Sequence, residues 1–490
     1  MRWLSFAIPL VLCSTASADN FTGFRGDGSG TVTADPPIRW SAEDGIAWTA
    51  DIPGYGQSQP VVWNGRVFVT SSDGPWQQQQ HVHAFDLQTG NRLWTRTIDA
   101  SLPLENYFRN SRAAPTCVVD DQAVYSFFAS GDVTAMTHDG EILWSTPVIE
   151  QNGKADNERG VASSLAQTED HLFVLVDHHG PSYLVAINKT DGSTAWKADR
   201  GNRVPSWSSP VIATIGGHQV VITSSADTVD AYDAATGDAL WQLDGLQGNH
   251  IPSASVVGNR VYAGSTTMYG GASDEDAVAG SNCCIELSGG GADYKQLWGA
   301  ERANSYYSTP LCFAGYVYYV NKVGVLYCVD AETGKQVFRK RIGNPCWASA
   351  IGVTKPDGEQ LVYFVTKNGF TIIIRPGDEY DQVARNQLWD AEAMLAAREA
   401  AAKQRQENTV PADEAPAKSG PEAVFAGMPE SRLHQMFSYG DPMVYAAAIA
   451  DDQLLIRTGQ KLFCVGEKRV DAEAESRGDA EKSMPVANFP

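Results

Sequence analysis

Short runs of alternating apolar and polar residues fill the chain, and they come in pairs joined by turn signals. Pro60-Val61-Val62-Trp63-Asn64-Gly65-Arg66-Val67-Phe68-Val69 shows the unit. Its apolar residues flank Asn64-Gly65, the strongest short-range hairpin signal. A second kind of pair reads Ala84-Phe85-Asp86-Leu87-Gln88-Thr89-Gly90-Asn91-Arg92-Leu93-Trp94, a strand, an Asp-x-x-Thr-Gly turn and a strand closed by an aromatic. It recurs from Ala231 to Trp241, more loosely from Ala135 to Trp144 and from Ala186 to Trp196. Cys328 to Gly334 ends on Phe338, and weaker copies end at Trp298 and Trp389. The glycine supplies positive φ, and the Asp and Thr side chains bond turn amides. Two hairpins per repeat make four strands, one propeller blade.

With Trp48, the closing aromatics fall at positions 48, 94, 144, 196, 241, 298, 338 and 389, which predicts eight blades. Trp48 precedes the first full repeat, and the last strands, Gln453 to Arg457 and Lys461 to Val465, lack a following tryptophan. The segment around Ile46 to Ile52 is therefore expected to supply the outer strand of the last blade. An open solenoid would leave that edge bare. The expected fold is all-β, an eight-bladed β-propeller of four-stranded antiparallel blades, its ring closed by an N-terminal strand.

The repeat overrides the length prior of roughly three ordinary domains for a chain this long. With 490 residues and 43% hydrophobic positions the chain can bury a large core. One propeller domain, 19–466, is expected. Within it 390–433 is a helical or disordered insertion, rich in Ala, Glu, Gln, Lys and Arg and then in Pro, Ala and Glu. The polar acidic tail, 467–490, is expected to be disordered. The net charge of −21 argues against nucleic acid or anionic membranes as partners.

Met1-Arg2-Trp3, an apolar run from Leu4 to Cys13 and Ala16-Ser17-Ala18 have the form of a secretory signal, predicting a leader over 1–18 and a periplasmic or secreted product. A buried N-terminal helix is the competing reading. Lipid attachment at Cys13 is disfavoured by bulky Leu12. No other segment approaches the roughly 18 uninterrupted apolar residues of a membrane helix. Beyond Cys13 the cysteines are 117, 283, 284, 312, 328, 346 and 464, an odd number with no CxxC. Zinc-ribbon, thioredoxin and covalent-haem readings therefore fail. Adjacent Cys283 and Cys284 read as two small hydrophobes, one on each face of a strand, with a vicinal disulfide as the alternative.

The Ala84–Trp94 and Ala231–Trp241 motifs resemble the tryptophan-docking motif of the pyrrolo-quinoline quinone (PQQ)-like repeat family, and the resemblance spans roughly residues 38 to 466. It implies an eight-bladed propeller. It does not by itself imply an activity, because the family includes quinoprotein dehydrogenases and a cofactor-free outer-membrane assembly factor that acts as a docking scaffold. This chain resembles the second type more.

Loops leading into the innermost strands of a propeller gather at one end of its channel, and here they are polar and aromatic. Candidate ligand- or partner-binding residues are Arg109, Asn110, Arg112, Asn157, Arg159, Arg200, Trp207, Asn249, Asn304, Tyr306, Trp347, Tyr439 and Asp441. Arginine, aromatic and amide side chains together suit an anionic or planar ligand, or a peptide. The bland alternative is that they pair with one another and close the mouth. By the resemblance, a quinoprotein would need arginine on the PQQ carboxylates (Arg112 or Arg159) and an aromatic under the ring (Trp207 or Trp347). It would also need Ca²⁺ on Glu158 with Asn157, and Asp441 as base. However, no run of that family's cofactor residues surrounds Cys283-Cys284, the chain is shorter than those enzymes, and it carries no haem domain.

Other clusters are weaker. Asp274-Glu275-Asp276 lacks EF-hand spacing. Asp177-His178-His179 with Ser182 lacks the G-x-S-x-G elbow of a hydrolase and fits a hairpin turn. His81 and His83 share a strand face with no third metal ligand to name. The expectation is an exported, non-catalytic, monomeric scaffold that binds an envelope protein partner or small ligand at the channel mouth. It would carry no catalytic residue, metal, cofactor or transmembrane segment, and the 390–433 insertion offers a second contact. The alternative is a PQQ- and calcium-dependent quinoprotein dehydrogenase.

Overall fold

The computed structural model describes residues 20–74, 77–102, 111–153, 155–157, 160–248, 251–266, 278–390 and 442–467. The expected leader over 1–18, almost all of the expected 390–433 insertion and the tail beyond 467 thus lie outside the described residues.

Eight antiparallel sheets follow one another along the chain, each ordered from an innermost to an outermost strand. Blade 1 comprises Val61–Trp63, Arg66–Asp73, Gln79–Asp86 and Arg92–Asp99. Blades 2 to 7 repeat the plan, with innermost strands at Val118–Val119, Ala166–Gln167, Val211–Ile215, Ser255–Val257, Leu311–Phe313 and Ile351–Thr354. Blade 8 takes Ala446–Ala450, Gln453–Arg457 and Lys461–Val465 from the C-terminal side. Its fourth strand is Ile46–Asp51, antiparallel to Lys461–Val465 with Ile46 opposite Val465 and Asp51 opposite Lys461. The ring is closed by an N-terminal strand, as the stray Trp48 predicted.

Apolar clusters fill the interfaces between successive blades. Cys283 faces the one between blades 4 and 5 and Cys284 the one between blades 5 and 6, both as buried free thiols. The period of two along a strand puts neighbours on opposite faces, so adjacent cysteines here are two small core residues. Outermost strands alternate between exposed and half-buried positions, as in Arg92–Asp99, whereas inner strands are buried on both faces.

The repeated motif works as a clasp between blades. Asp86 Oδ1 accepts the amides of Gln88 and Thr89 and the Thr89 hydroxyl, and Asp330 does the same for Glu332 and Thr333. Six of the closing tryptophans donate their indole N–H to a carbonyl in the next blade's turn, Trp241 to Gly291 at 2.9 Å among them. Trp48 reaches Leu87 at 2.9 Å, Trp94 His138 at 2.9 Å, Trp144 Lys189 at 2.8 Å, Trp196 Ala234 at 3.2 Å and Trp298 Ala331 at 3.0 Å. The turn glycine is needed for conformation and space alike: Gly334 has φ +69°, and a Cβ there would come within 2.6 Å of the Trp298 ring. Phe338, which has no N–H, instead meets Tyr380 edge-on at 6.1 Å.

One feature had no precursor in the sequence pattern. The segment from Phe21 to Asp35 runs as a sash across the channel at the far end of the innermost strands and touches every blade. Phe21 exchanges backbone hydrogen bonds with Val62, and Thr22 accepts from Val119 and from Gln167. Gly28 abuts Val211, Ser29 accepts from Ser255, and Arg25 donates to the Pro310 carbonyl. Thr31–Thr33 then pairs parallel to blade 7 as a fifth strand, and the Asp35 amide bonds Asp452 of blade 8.

Candidate functional site

The site is built largely by the four residues that precede each innermost strand. In blades 2 to 7 a Ser or Thr stands there: Thr116, Ser164, Ser209, Ser253, Thr309 and Ser349. Each accepts a backbone N–H from the preceding blade. The donors run Gln59 to Thr116 at 2.9 Å, Thr116 to Ser164 at 3.0 Å and Ser164 to Ser209 at 2.9 Å. They continue Ser209 to Ser253 at 2.7 Å, Ser253 to Thr309 at 3.3 Å and Thr309 to Ser349 at 3.1 Å. The result is a belt of hydroxyls stitching seven blades around the hub. Counting back from the tight hairpins of blades 1 and 8 places Ala446 where Gln59 stands in blade 1, so blade 8 has no hydroxyl to offer. Gln59 bridges that gap: its Nε2 donates to the Ala447 carbonyl and its Oε1 accepts the Arg25 amide.

Inside the belt lies a cavity of about 360 Å³. All six belt hydroxyl residues line it, with Gln57 and Gln59. Phe24 of the sash also lines it, and Trp207, Tyr307, Trp347 and Tyr445 supply its aromatic surface. Tyr307 meets Trp347 edge-on at 5.4 Å, and Trp347 meets Tyr445 at 5.4 Å, so three blades share one aromatic wall. Trp207 comes from blade 4 and donates its indole N–H to Gly160 at 3.0 Å. The volume matches ordinary small-molecule sites.

The structure places the sequence candidates in three groups. Trp207 and Trp347 line the cavity, and Tyr306 stacks on Tyr307 with ring centroids 4.0 Å apart. Arg112, Asn157, Arg200 and Asn304 are buried. Arg200 is enclosed by partners: Asp177 at 2.9 Å, Thr223 at 2.8 Å, Tyr232 at 2.7 Å, Ser225 at 2.6 Å and Asp230 at 3.3 Å. Its charge ties blade 3 to blade 4 inside the protein. Burial opposes that charge, but Asp177 and Asp230 outweigh burial and raise the guanidinium above its usual value. Arg112 donates to the Leu102 carbonyl at 3.1 Å, while its Nε and Nη2 have no partner among the described residues. Burial lowers it to about 9. Asn157 donates to the Asp177 carbonyl at 3.4 Å. The third group, Arg109, Asn110, Arg159, Asn249, Tyr439 and Asp441, lies outside the described residues.

The weaker clusters have structural employment. Ser182 Oγ both accepts the His178 amide and donates to the His178 carbonyl, and the two His178 ring nitrogens bond Asp156 and Pro181 backbone. His83 is bound by Ser71 and Thr95, and His81 by Thr97. Among the described residues no group of three or more His, Cys, Asp or Glu is placed to hold a metal. Asp274-Glu275-Asp276 lies outside them. Among the described residues the cavity lining carries no arginine and no carboxylate. Glu158, Arg159 and Asp441 are not described.

Sequence reasoning missed the belt and the sash. The belt does leave a trace: an aromatic or Gln, then Ser, then a polar residue, then Pro, recurs at Gln57–Pro60, Trp207–Pro210 and Tyr307–Pro310.

Comparison with known proteins bears on the same repeats. The family model described as outer membrane protein assembly factor BamB matches residues 22–174 and 154–290. The outer membrane protein assembly factor BamB of Burkholderia pseudomallei (strain K96243) is 30% identical over 228 residues, covering 44% of this chain and 52% of that protein. The chain spans about half the length of the curated relatives it matches. The crystal structure of BamB from Moraxella catarrhalis superposes with TM-score 0.53 at 12% identity, covering 87% of this chain and 98% of that one. The quinohemoprotein alcohol dehydrogenase of Comamonas testosteroni gives TM-score 0.55 at 12% identity, covering 94% and 82%. At such identities the two structures speak for the fold alone, and they stand on both sides of the functional divide. The family model covers more than half of the sequence, and the chain is a PQQ-like propeller that belongs to the outer membrane protein assembly factor BamB family.

Proposed function

We propose that the chain is an exported, non-catalytic scaffold of outer membrane protein assembly, acting in the periplasm. The family match over residues 22–290 carries this reading. The site's chemistry supports it. The described lining offers hydroxyls, amides and aromatic rings but no carboxylate, histidine, cysteine or lysine to activate them, a composition that suits recognition. A ring stitched at the hub and clasped at the rim holds its loops on a rigid frame, where binding residues work best.

In this reading residues 1–18 are a cleaved leader, and the protein is a monomer. A protein partner docks on the mouth through the loops that carry Arg109, Asn110, Arg159, Asn249, Tyr306, Tyr439 and Asp441. Trp207 and Trp347 stand deeper, and the 390–433 insertion adds a second contact. Arg112 and Arg200 act by holding the frame. The test is purification of the tagged full chain from the envelope, with Arg159→Glu beside wild type. An outer-membrane assembly partner that co-purifies with wild type and is lost with Arg159→Glu supports the docking face. An unchanged partner set moves the face elsewhere on the ring.

A further inference from the structure

The hub cavity has an imbalance that a scaffold does not need. A backbone N–H can only donate, so each belt hydroxyl is forced to be the acceptor in its inter-blade bond, and its single proton is left over. None of the six protons, on Thr116, Ser164, Ser209, Ser253, Thr309 and Ser349, has an acceptor among the described residues. Trp347 adds a buried indole N–H with no partner among the described residues. The two side-chain amide oxygens of the lining are each engaged, Gln57 Oε1 by the Ser111 amide and Gln59 Oε1 by the Arg25 amide. Below the floor, Arg25 is buried, and among the described residues its guanidinium bonds the carbonyls of Pro310 and Ser29 and forms no ion pair. Unspent donors, no free carboxylate and a cation beneath make a surface complementary to acceptor oxygens.

We propose that the hub cavity binds a small oxyanion, a carboxylate, sulfate or phosphate group, held by the crown of belt hydroxyls and the Trp347 N–H. The wall of Tyr307, Trp347 and Tyr445 receives the planar or cyclic body that carries the group. The cavity volume of about 360 Å³ admits a ligand of that size. This site goes beyond the scaffold reading and does not depend on any protein partner.

The test is calorimetric titration of the purified full chain with sodium acetate, benzoate, sulfate and phosphate at constant ionic strength, with chloride as control. Saturable one-site binding of at least one oxyanion is expected, and the four arms identify which head group fits. If the wall receives the body, benzoate binds several-fold more tightly than acetate. Trp347→Phe keeps a ring and removes one donor. Thr309→Val keeps the shape and removes another. Each should weaken binding roughly ten- to a hundredfold, as loss of one hydrogen bond to a charged group does. Thr309→Val also strips the acceptor of the Ser253 amide, so Trp347→Phe decides if Thr309→Val does not fold. No saturable binding up to about 10 mM of any of the four overturns the proposal, being weaker than any specific site of use. So does binding of undiminished strength to Trp347→Phe, which puts the anion elsewhere.

Discussion

Trp298 of blade 5 lies across Gly334 in the turn of blade 6 and donates its indole N–H to the Ala331 carbonyl at 3.0 Å. This pair shows why the motif has its form. The aromatic is the clasp, the glycine makes room for it, and the Asp330–Thr333 bonds hold the turn that presents the carbonyl. Gly334→Ala meets two penalties, positive φ and a Cβ 2.6 Å from the ring. It should cost about 2–4 kcal/mol in equilibrium denaturation, combining backbone strain with displaced packing. Gly216→Ala, with φ +59° and nothing within 4 Å of its added Cβ, isolates the backbone part at about 1 kcal/mol. Equal losses at the two sites would mean that the Trp298 contact adds nothing.

Asp177 and Arg200 form an ion pair with no solvent exposure on either side chain. Asp177→Ala leaves the guanidinium buried with a weakened set of partners, and a loss of about 3–5 kcal/mol is expected. Asp177→Ala with Arg200→Met should recover part of it, since an apolar pair carries no stranded charge. A double variant as unstable as the sum of the two single ones would show that the pair is not coupled.

Burial, then the neighbouring charges of His81, Arg457 and Arg92, push His83 down from 6.5 to about 3. The folded protein therefore keeps His83 neutral where the unfolded chain takes up a proton. Stability present above pH 6.5 is lost as the pH falls from there toward 3. The loss through this one group reaches about 2 kcal/mol by pH 5. Urea midpoints between pH 7 and pH 5 should fall less steeply in His83→Asn than in wild type. Identical slopes would show that His83 titrates normally.

All seven described cysteines are buried free thiols, and burial raises Cys117, Cys283, Cys284, Cys328 and Cys346 to about 12. A thiol reagent at pH 8 should therefore label the folded protein at a negligible rate and all of these cysteines in guanidinium, since the thiolate is the reactive form. Rapid labelling of Cys283 or Cys284 in the native state would contradict the packing of blades 4 to 6.

How much of this was legible in the sequence depends on periodicity. The Asp86–Trp94 and Asp233–Trp241 turns repeat because every blade must clasp its neighbour, and the repeat therefore announces the fold. Trp48 announced ring closure for the same reason, as a clasp with no blade before it. The sash from Phe21 to Asp35 crosses the channel once, so each contact is unique and leaves no period. Arg200 and Arg112 looked like mouth residues because a loop arginine is usually exposed, and only the three-dimensional path shows them turned inward. The hydroxyl belt was half legible: Ser209 and Thr309 stand before prolines at equivalent places, but Ser and Thr are common enough in turns that spacing alone does not separate a belt from a loop.

The central claim is that this propeller serves outer membrane protein assembly as a scaffold. The most direct measurement is the amount of folded β-barrel protein in the outer membrane of its own organism, with the chain deleted and then restored. The account predicts that deletion lowers folded barrels and that the full chain restores them without added PQQ or calcium. Unchanged barrel levels on deletion would contradict it.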